Sequence, residues 1–293
     1  MSGVADADPT EAFEIVDDGT RVAILRALAE RRAEHPRDPA LSFSELRKRV
    51  GTRDSGRFNY HLDRLRGRFV EKHGESDGYV LTPSGQKVVS AVLAGAYERG
   101  EDRGPMEVDA DCFVCGAPLS AEYVDGMVRV TCEHGHGFRD TAPPGAVEDR
   151  RMEEVLMLAD RVARQEIELA VEGVCPECFG PAPPSIVSLD EDERPHEDTT
   201  HLFVSVCERC GMTSATLVGC CVVRHPAVVS LYYEHGIDVR ERPVWELGFV
   251  AEGPVVEGED PLRLRVDVAV GDDAVALTLD GTATVVDVER SPA

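Results

Sequence analysis

Lysine is nearly missing from this 293-residue chain: Lys48, Lys72 and Lys87 are the only lysines among 31 cationic side chains, and the rest are arginine. Proteins adapted to extreme heat enrich lysine together with glutamate, so the shortage argues against that origin. Aromatic residues make up 5% of the chain, with Trp245 the single tryptophan. No run of about 18 apolar residues is present, which excludes a membrane-spanning helix. The opening MSGVADADPTEAF has neither a basic segment nor an apolar core, so the expectation is a cytoplasmic protein rather than an exported one. Catalytic signatures are missing too. There is no P-loop, no G-x-G-x-x-G after a strand and no G-x-S-x-G. HEDTTH, residues 196–201, spaces its histidines five apart, which puts them on different sides of a helix and rules out the H-E-x-x-H zinc-protease pattern. No H-x-E precedes Cys175-Pro-Glu-Cys178 as a zinc deaminase requires. An enzyme is not expected.

What the chain has in excess is acid. Asp and Glu number 55, for a formal net charge of −24, and no single run accounts for it. That pattern fits a halophilic proteome, in which dispersed carboxylates hold a hydration shell and oppose association. The length suggests about two domains, and 42% apolar content suffices to bury their cores. One region runs against the charge. Between residues 41 and 73 nine Arg and Lys face only Glu45, Asp54, Asp63 and Glu71, a net of +5, which leaves −29 for the remainder.

Within residues 9–32, Val22, Leu25 and Ala29, with Ile24 and Leu28, recur at helical spacing after the Asp18-Gly19-Thr20 break. Ser42 and Glu45 form an S-x-x-E capping box for a short second helix ending at Gly51. A third helix follows in SGRFNYHLDRLRGRFVEKH, where Phe58, Leu62, Leu65 and Phe69 share one face, Arg57, Tyr60 and Arg64 lie opposite, and Asn59 flanks them. His61, at the edge of the apolar face, reads either as a packed histidine or as a base contact. FVEKH and YVLT flank GESDG as a two-stranded hairpin, and Thr82-Pro83 open another helix. Helix, helix, helix, hairpin, helix is the order of a winged helix-turn-helix, whose recognition helix enters the DNA major groove.

The same residues carry a resemblance. DDGTRVAILRALAE is similar to the first-helix signature of ArsR-like regulators, and FNYHLDRL with YVLTPSG resembles the recognition helix and wing of the haloarchaeal members of that group. The resemblance implies a DNA-binding transcriptional regulator. It assigns base reading to Arg57, Asn59, Tyr60 and Arg64 and backbone contacts to Lys72 and His73, and Arg53 in the preceding turn joins the set. The competing reading is a basal-transcription or scaffold protein resembling archaeal transcription factor E, which binds mainly proteins.

Nine cysteines in a reducing compartment point to metal rather than disulfides. Cys175-x-x-Cys178 and Cys207-x-x-Cys210 are two C-x-x-C turns that together offer the four thiolates of a closed structural Zn²⁺ site. A partial copy precedes them: Cys112-x-x-Cys115, a Tyr123 to Val130 hairpin around Asp125-Gly126, and Cys132. Its fourth ligand is a histidine, His136 in preference to His134 because C-x₃-H lets the chain turn around the ion. A metal-free ribbon held by Phe113, Tyr123 and Phe138 is the other reading. Cys220 and Cys221, in LVGCCVV, read as strand neighbours pointing to opposite faces and so as buried small residues, with redox or soft-metal sensing as the alternative.

Residues 148–173 form an amphipathic stripe that predicts a helix of roughly 39 Å, packed on its own chain or forming a homodimer seam. HPAVVSLYYEHGID reads as a further helix, and LRLRVDVAV, AVALTL and TATVVDVER as an antiparallel meander with an Asp280-Gly281 turn. The predicted fold is α+β. It comprises a winged helix-turn-helix (9–104), a zinc-ribbon-like module (105–147), a connecting helix (148–173), a zinc-ribbon module with a following helix (174–242) and a small β meander (243–293). The expected partners are two Zn²⁺ and double-stranded DNA, with no membrane, and the residues name no effector.

Overall fold

Asp18 starts the first long helix by accepting hydrogen bonds from the backbone N–H groups of Thr20 (2.8 Å) and Arg21 (3.2 Å), two of the donors that a helix N-terminus leaves unpaired. The computed structural model describes residues 9–74, 78–112, 115–192, 194 and 199–292. It divides into two units, residues up to Arg99 and residues from Gly100 onward.

The first unit runs α1 (Pro9–Val16), α2 (Gly19–Glu34), β1 (Leu41–Ser42), α3 (Phe43–Val50), α4 (Ser55–Leu65), β2 (Val70–Lys72), β3 (Gly78–Leu81) and α5 (Pro83–Leu93). Ser42 and Glu45 make both halves of the capping box on α3, and Gly51 closes that helix at φ 76°, a left-handed conformation that favours glycine. Asp54 caps α4. Ile24, Leu28, Leu46, Phe58, Leu62 and Val70 share one core. The hairpin gains a strand that alternation could not reveal, because β1 is two residues long; the sheet order is β1-β3-β2, with Leu41 opposite Tyr79. His61 is buried, with Nδ1 3.4 Å from the Asp18 carboxylate, so it packs α4 against the start of α2.

The second unit begins with β4 (Arg103–Asp111), β5 (Pro118–Val124), β6 (Met127–Cys132) and β7 (Gly137–Thr141), hydrogen-bonded in that order. Asp125 (φ 53°) and Gly126 (φ 77°) are the two positive-φ residues that a tight β5–β6 hairpin needs. After α6 (Pro144–Val147) comes α7 (Met152–Val171), whose Val155, Leu156 and Ala159 bury against Leu119, Ala121 and Val130 of that sheet. Next are β8 (Pro184–Ser188), β9 (His201–Val206) and β10 (Thr213–Leu217), a 3₁₀ turn at Val218–Val222, α8 (Pro226–Glu234), a second 3₁₀ turn at Val244–Glu246, and α9 (Gly248–Ala251). The last sheet is β11 (Val255–Glu259), β12 (Leu262–Val270), β13 (Asp273–Asp280) and β14 (Val285–Pro292). A single core joins Ala170 of α7, Phe203 of β9, Leu231 of α8, and Leu264 and Leu277 of the last sheet.

The predicted fold class is therefore corrected. Among the described residues fourteen strands form four antiparallel sheets, and the second unit is mostly β with one long helix. The chain is not a winged helix-turn-helix followed by ribbons strung on a connecting helix and a separate small meander. Two physical causes misled the reading. Strand β4 (RGPMEVDAD) alternates half-buried and solvated positions, and no strand before Cys112 was among the expectations for the module at 105–147. The long helix is not a spacer: α7 has 20 residues, and its apolar side is consumed by the sheets it packs on. Cys220 and Cys221 of LVGCCVV are likewise not in a strand but in the 3₁₀ turn that follows β10. Phe113, residues 75–77 of the GESDG turn and His196 of HEDTTH lie outside the described residues.

Glu166 on α7 yields a pH prediction. Burial, and then the carboxylates of Asp140 on β7 and Glu177, hold its carboxyl up to about 7. A raised carboxyl contributes stability below its unfolded pKa, and that contribution is lost as pH rises through the folded value. Glu166→Gln is expected to raise the melting temperature by roughly 2–4 °C at pH 8, with the gain shrinking toward pH 5, as thermal melts across that range would read.

Candidate metal centres and the exposed face of α4

Four tight turns carry the candidate ligands, and each is built alike. In each, a backbone N–H closes back on the carbonyl of the leading cysteine: Gly116 on Cys112 (2.7 Å), Gly135 on Cys132 (3.0 Å), Phe179 on Cys175 (3.0 Å) and Gly211 on Cys207 (3.0 Å). The closing residue takes positive φ every time, 70°, 84°, 55° and 75° respectively. Three are glycine, for which that conformation costs little; Phe179 adopts it with a side chain, a cost that backbone outliers at functional sites commonly carry.

The turns converge in pairs. One ligand atom from each of Cys112, Cys115, Cys132 and His136 lies within 4.8 Å of the others, and the same holds for Cys175, Cys178, Cys207 and Cys210. These two groups could each hold a metal ion. In the first, Cys115 Sγ is 3.7 Å from Cys132 Sγ, and His136 Nδ1 is 3.6 Å from Cys132 Sγ and 3.8 Å from Cys112 Sγ. In the second, Cys175 is 3.6 Å from Cys210 and Cys178 is 3.5 Å from Cys207. His134 sits beside the first group, with its Nδ1 3.4 Å from Cys115 Sγ and its ring stacked on His136.

Local hydrogen bonding lowers one thiol in each group, whereas Cys115 is raised and Cys210 is pushed up to about 12. At Cys207 the N–H groups of Cys210 and Arg209 (3.5 and 3.4 Å) pull the thiol down to about 6 against the opposing effect of burial. At Cys132 burial works upward, yet the backbone N–H groups of His134 and His136 and the neighbouring thiols bring it to about 6. Each site thus offers a thiolate at neutral pH, the form that binds metal. Buried Cys175, Ala182 and Cys207 form the small core of the second site.

The residues expected to meet DNA lie elsewhere, in the first unit. Arg57, Asn59, Tyr60 and Arg64 are exposed on α4 while Phe58, His61, Leu62 and Leu65 are buried, so the helix is sharply two-sided. Tyr60 stands 59% exposed in a chain with few aromatics. Asn59 Nδ2 donates to Asp63 at 2.7 Å, and Asp63 pairs with Arg66 at 2.9 Å. Arg53 is exposed in the turn before α4; Lys72 on β2 and His73 just beyond it are exposed as well. Sequence reasoning missed the shared surroundings of Cys220 and Cys221, both of which line one cavity of the second unit. A cysteine pair assumed to lie in a strand carries no signal of that kind.

Residues 109–285, more than half of the chain, match the model of a family described as a domain of unknown function, DUF7351, and the chain belongs to that family. That span contains both candidate metal centres. Residues 9–92 match a second model, the domain of unknown function DUF7347, which covers all of the exposed α4 face and residues 72 and 73. No curated protein and no solved structure matches the chain.

Metal analysis after metal-replete purification checks the centres. Cys178→Ser is expected to lower bound metal by one equivalent per chain. His136→Ala should remove the other equivalent, and His134→Ala should leave it in place.

Proposed function

We propose that the chain is a DNA-binding transcriptional regulator, akin to the haloarchaeal ArsR-like regulators it resembles, that reads the major groove with α4, and that its two cysteine centres hold structural Zn²⁺. The observation that carries the DNA reading is the two-sidedness of α4. Its apolar side is consumed by the core, and its outward side presents Arg57, Asn59, Tyr60 and Arg64, within a +5 stretch of a chain that is −29 elsewhere. An arginine can grip guanine O6 and N7 with two hydrogen bonds, an asparagine can pair with adenine, and Tyr60 can reach a phosphate or a thymine methyl. Lys72 and His73 are suited to the phosphates that flank the groove.

Zinc fits the donor sets. With Zn–S near 2.3 Å, a tetrahedron has S···S edges of about 3.8 Å and, with Zn–N near 2.1 Å, S···N edges of about 3.6 Å. The observed 3.5–3.7 Å and 3.6–3.8 Å separations are close to those edges. Four-ligand sets without an open position suit structural roles: bound zinc would lock the turns of β4–β7 and β8–β10 and supply no reaction chemistry.

Two measurements test this reading. Arg57→Ala or Arg64→Ala is expected to cost roughly 1–3 kcal/mol on the preferred site and to relax preference at one base position, whereas Lys72→Ala should weaken all sequences about equally. If the double arginine variant keeps its circular dichroism and metal content yet binds DNA normally, α4 is not the reader and a protein-binding scaffold is the better account. Salt gives the second test. Acidic surface repels phosphate at low ionic strength, and that repulsion is screened when the Debye length falls to about 3 Å at 1 M. Specific binding should therefore persist from 0.1 to 2 M KCl, instead of falling by about 0.9 in log K per phosphate contact for each tenfold rise in salt. A steep monotonic loss in a filter-binding titration would contradict it.

A further inference from the structure

The first cysteine centre carries one donor more than a tetrahedral ion uses. Cys112, Cys115, Cys132 and His136 form the closed set, and His134 stands at its rim with Nδ1 3.4 Å from Cys115 Sγ. That separation is shorter than those of His136 from Cys132 and Cys112, 3.6 and 3.8 Å. It is also close to the S···N edge of about 3.6 Å in a zinc tetrahedron. The loop explains why two imidazoles reach one place. Cys132 N–H donates to the His136 carbonyl (2.9 Å) and Gly135 N–H to the Cys132 carbonyl (3.0 Å), so residues 133–135 make a tight tip, with Gly135 at φ 84°. The backbone N–H of His134 is itself bonded to the Cys132 thiol. The two rings lie on the metal side of this tip, 6.2 Å apart and within 29° of parallel. The second centre supplies an internal contrast. Two places after its leading Cys207 stands Arg209, whose guanidinium donates to the Cys178 carbonyl at 3.3 Å and has no lone pair to offer a metal ion.

Exposure singles out the ligand that His134 adjoins. Cys112 and Cys132 are buried, whereas Cys115 is exposed, so Cys115 is the cysteine of this centre that water and solutes reach first. We propose that His134 is a reserve ligand: when Cys115 leaves the ion, the His134 imidazole takes its coordination position, and a set of three sulfurs and one nitrogen becomes two of each. Both are ordinary donor sets for structural zinc. The exchange calls for rotation of one exposed side chain between its staggered positions, because Nδ1 already lies beside the sulfur it replaces. The centre then keeps its ion, and the turns of β4–β7 stay locked, when its exposed cysteine is blocked or lost. The inference rests on the zinc reading of this centre and is independent of the DNA-binding reading. The competing account is an N–H···S hydrogen bond from His134 to Cys115, with the imidazole never reaching the ion.

Zinc counting on the full-length, metal-replete chain tests it. The wild type and Cys115→Ala are both expected to hold two equivalents, and the Cys115→Ala, His134→Ala double variant one. With cobalt in place of zinc, Cys115→Ala should keep the intense visible absorption of a four-coordinate ion, and the weak absorption of a more highly coordinated, water-bound ion would overturn the proposal. Loss of one equivalent from Cys115→Ala, with two in the wild type, would overturn the reserve ligand and leave the zinc reading intact. That holds even if the variant fails to fold, because a reserve ligand would have kept both the ion and the fold. Two equivalents in the double variant would overturn it as well, since a group other than His134 would then complete the site. Fewer than two equivalents in the wild type would remove the zinc reading and this inference together.

Discussion

Eight ligand atoms must converge on two points, and four backbone turns make them do so. Each turn commits one residue to positive φ and one N–H to closing back on the leading cysteine's carbonyl. Strands β5 and β6 deliver Cys132 to the turn around Cys112, and β9 delivers Cys207 to the turn around Cys175. If either hairpin slipped by one residue, its side chains would swap faces and the donors would point away from one another. The register of both sheets is therefore bound to the chemistry of their ends. Helix α7, packed on the first sheet and reaching the core of the second, connects the parts of the unit that this convergence organises.

The other organising constraint is charge. With a formal −24, the chain carries a net of +5 in the stretch 41–73, and α4 lies inside it. Under the proposed DNA-binding role, base reading would work at contact distance, where salt screens least, so a few arginines on one helix could act while the rest of the surface stays acidic. Capping, core packing and sequence order all serve to hold that face outward: Asp54 starts the helix, while Phe58, Leu62 and Leu65 anchor it from behind.

The elements most legible in the sequence were those whose signals are local. The Ser42–Glu45 capping box, the Gly51 terminus, the Phe58, Leu62 and Leu65 stripe of α4 and the Asp125-Gly126 turn each depend on a few neighbouring residues, and each occurs where the spacing puts it, whereas Phe69 lies beyond the end of α4 at Leu65. The two cysteine groups were legible because C-x-x-C turns encode their own geometry. What could not be read was tertiary. Strand β4 shows itself only when β5 pairs with it, β1 is too short to alternate, and the burial of α7 on two cores is invisible in its own stripe. The cysteine pair at 220–221 was misread for a related reason: a run of small apolar residues suits a strand or a tight turn equally, and only packing against α7 and α9 selects the turn.

A genome-wide occupancy map of the tagged chain in its own cells, compared with the Arg57→Ala, Arg64→Ala form, tests the central claim most directly. The account predicts a limited set of sites sharing one sequence motif, lost in the variant at equal protein level and equal metal content. Uniform occupancy of promoters without a shared motif, unchanged in the variant, would contradict it.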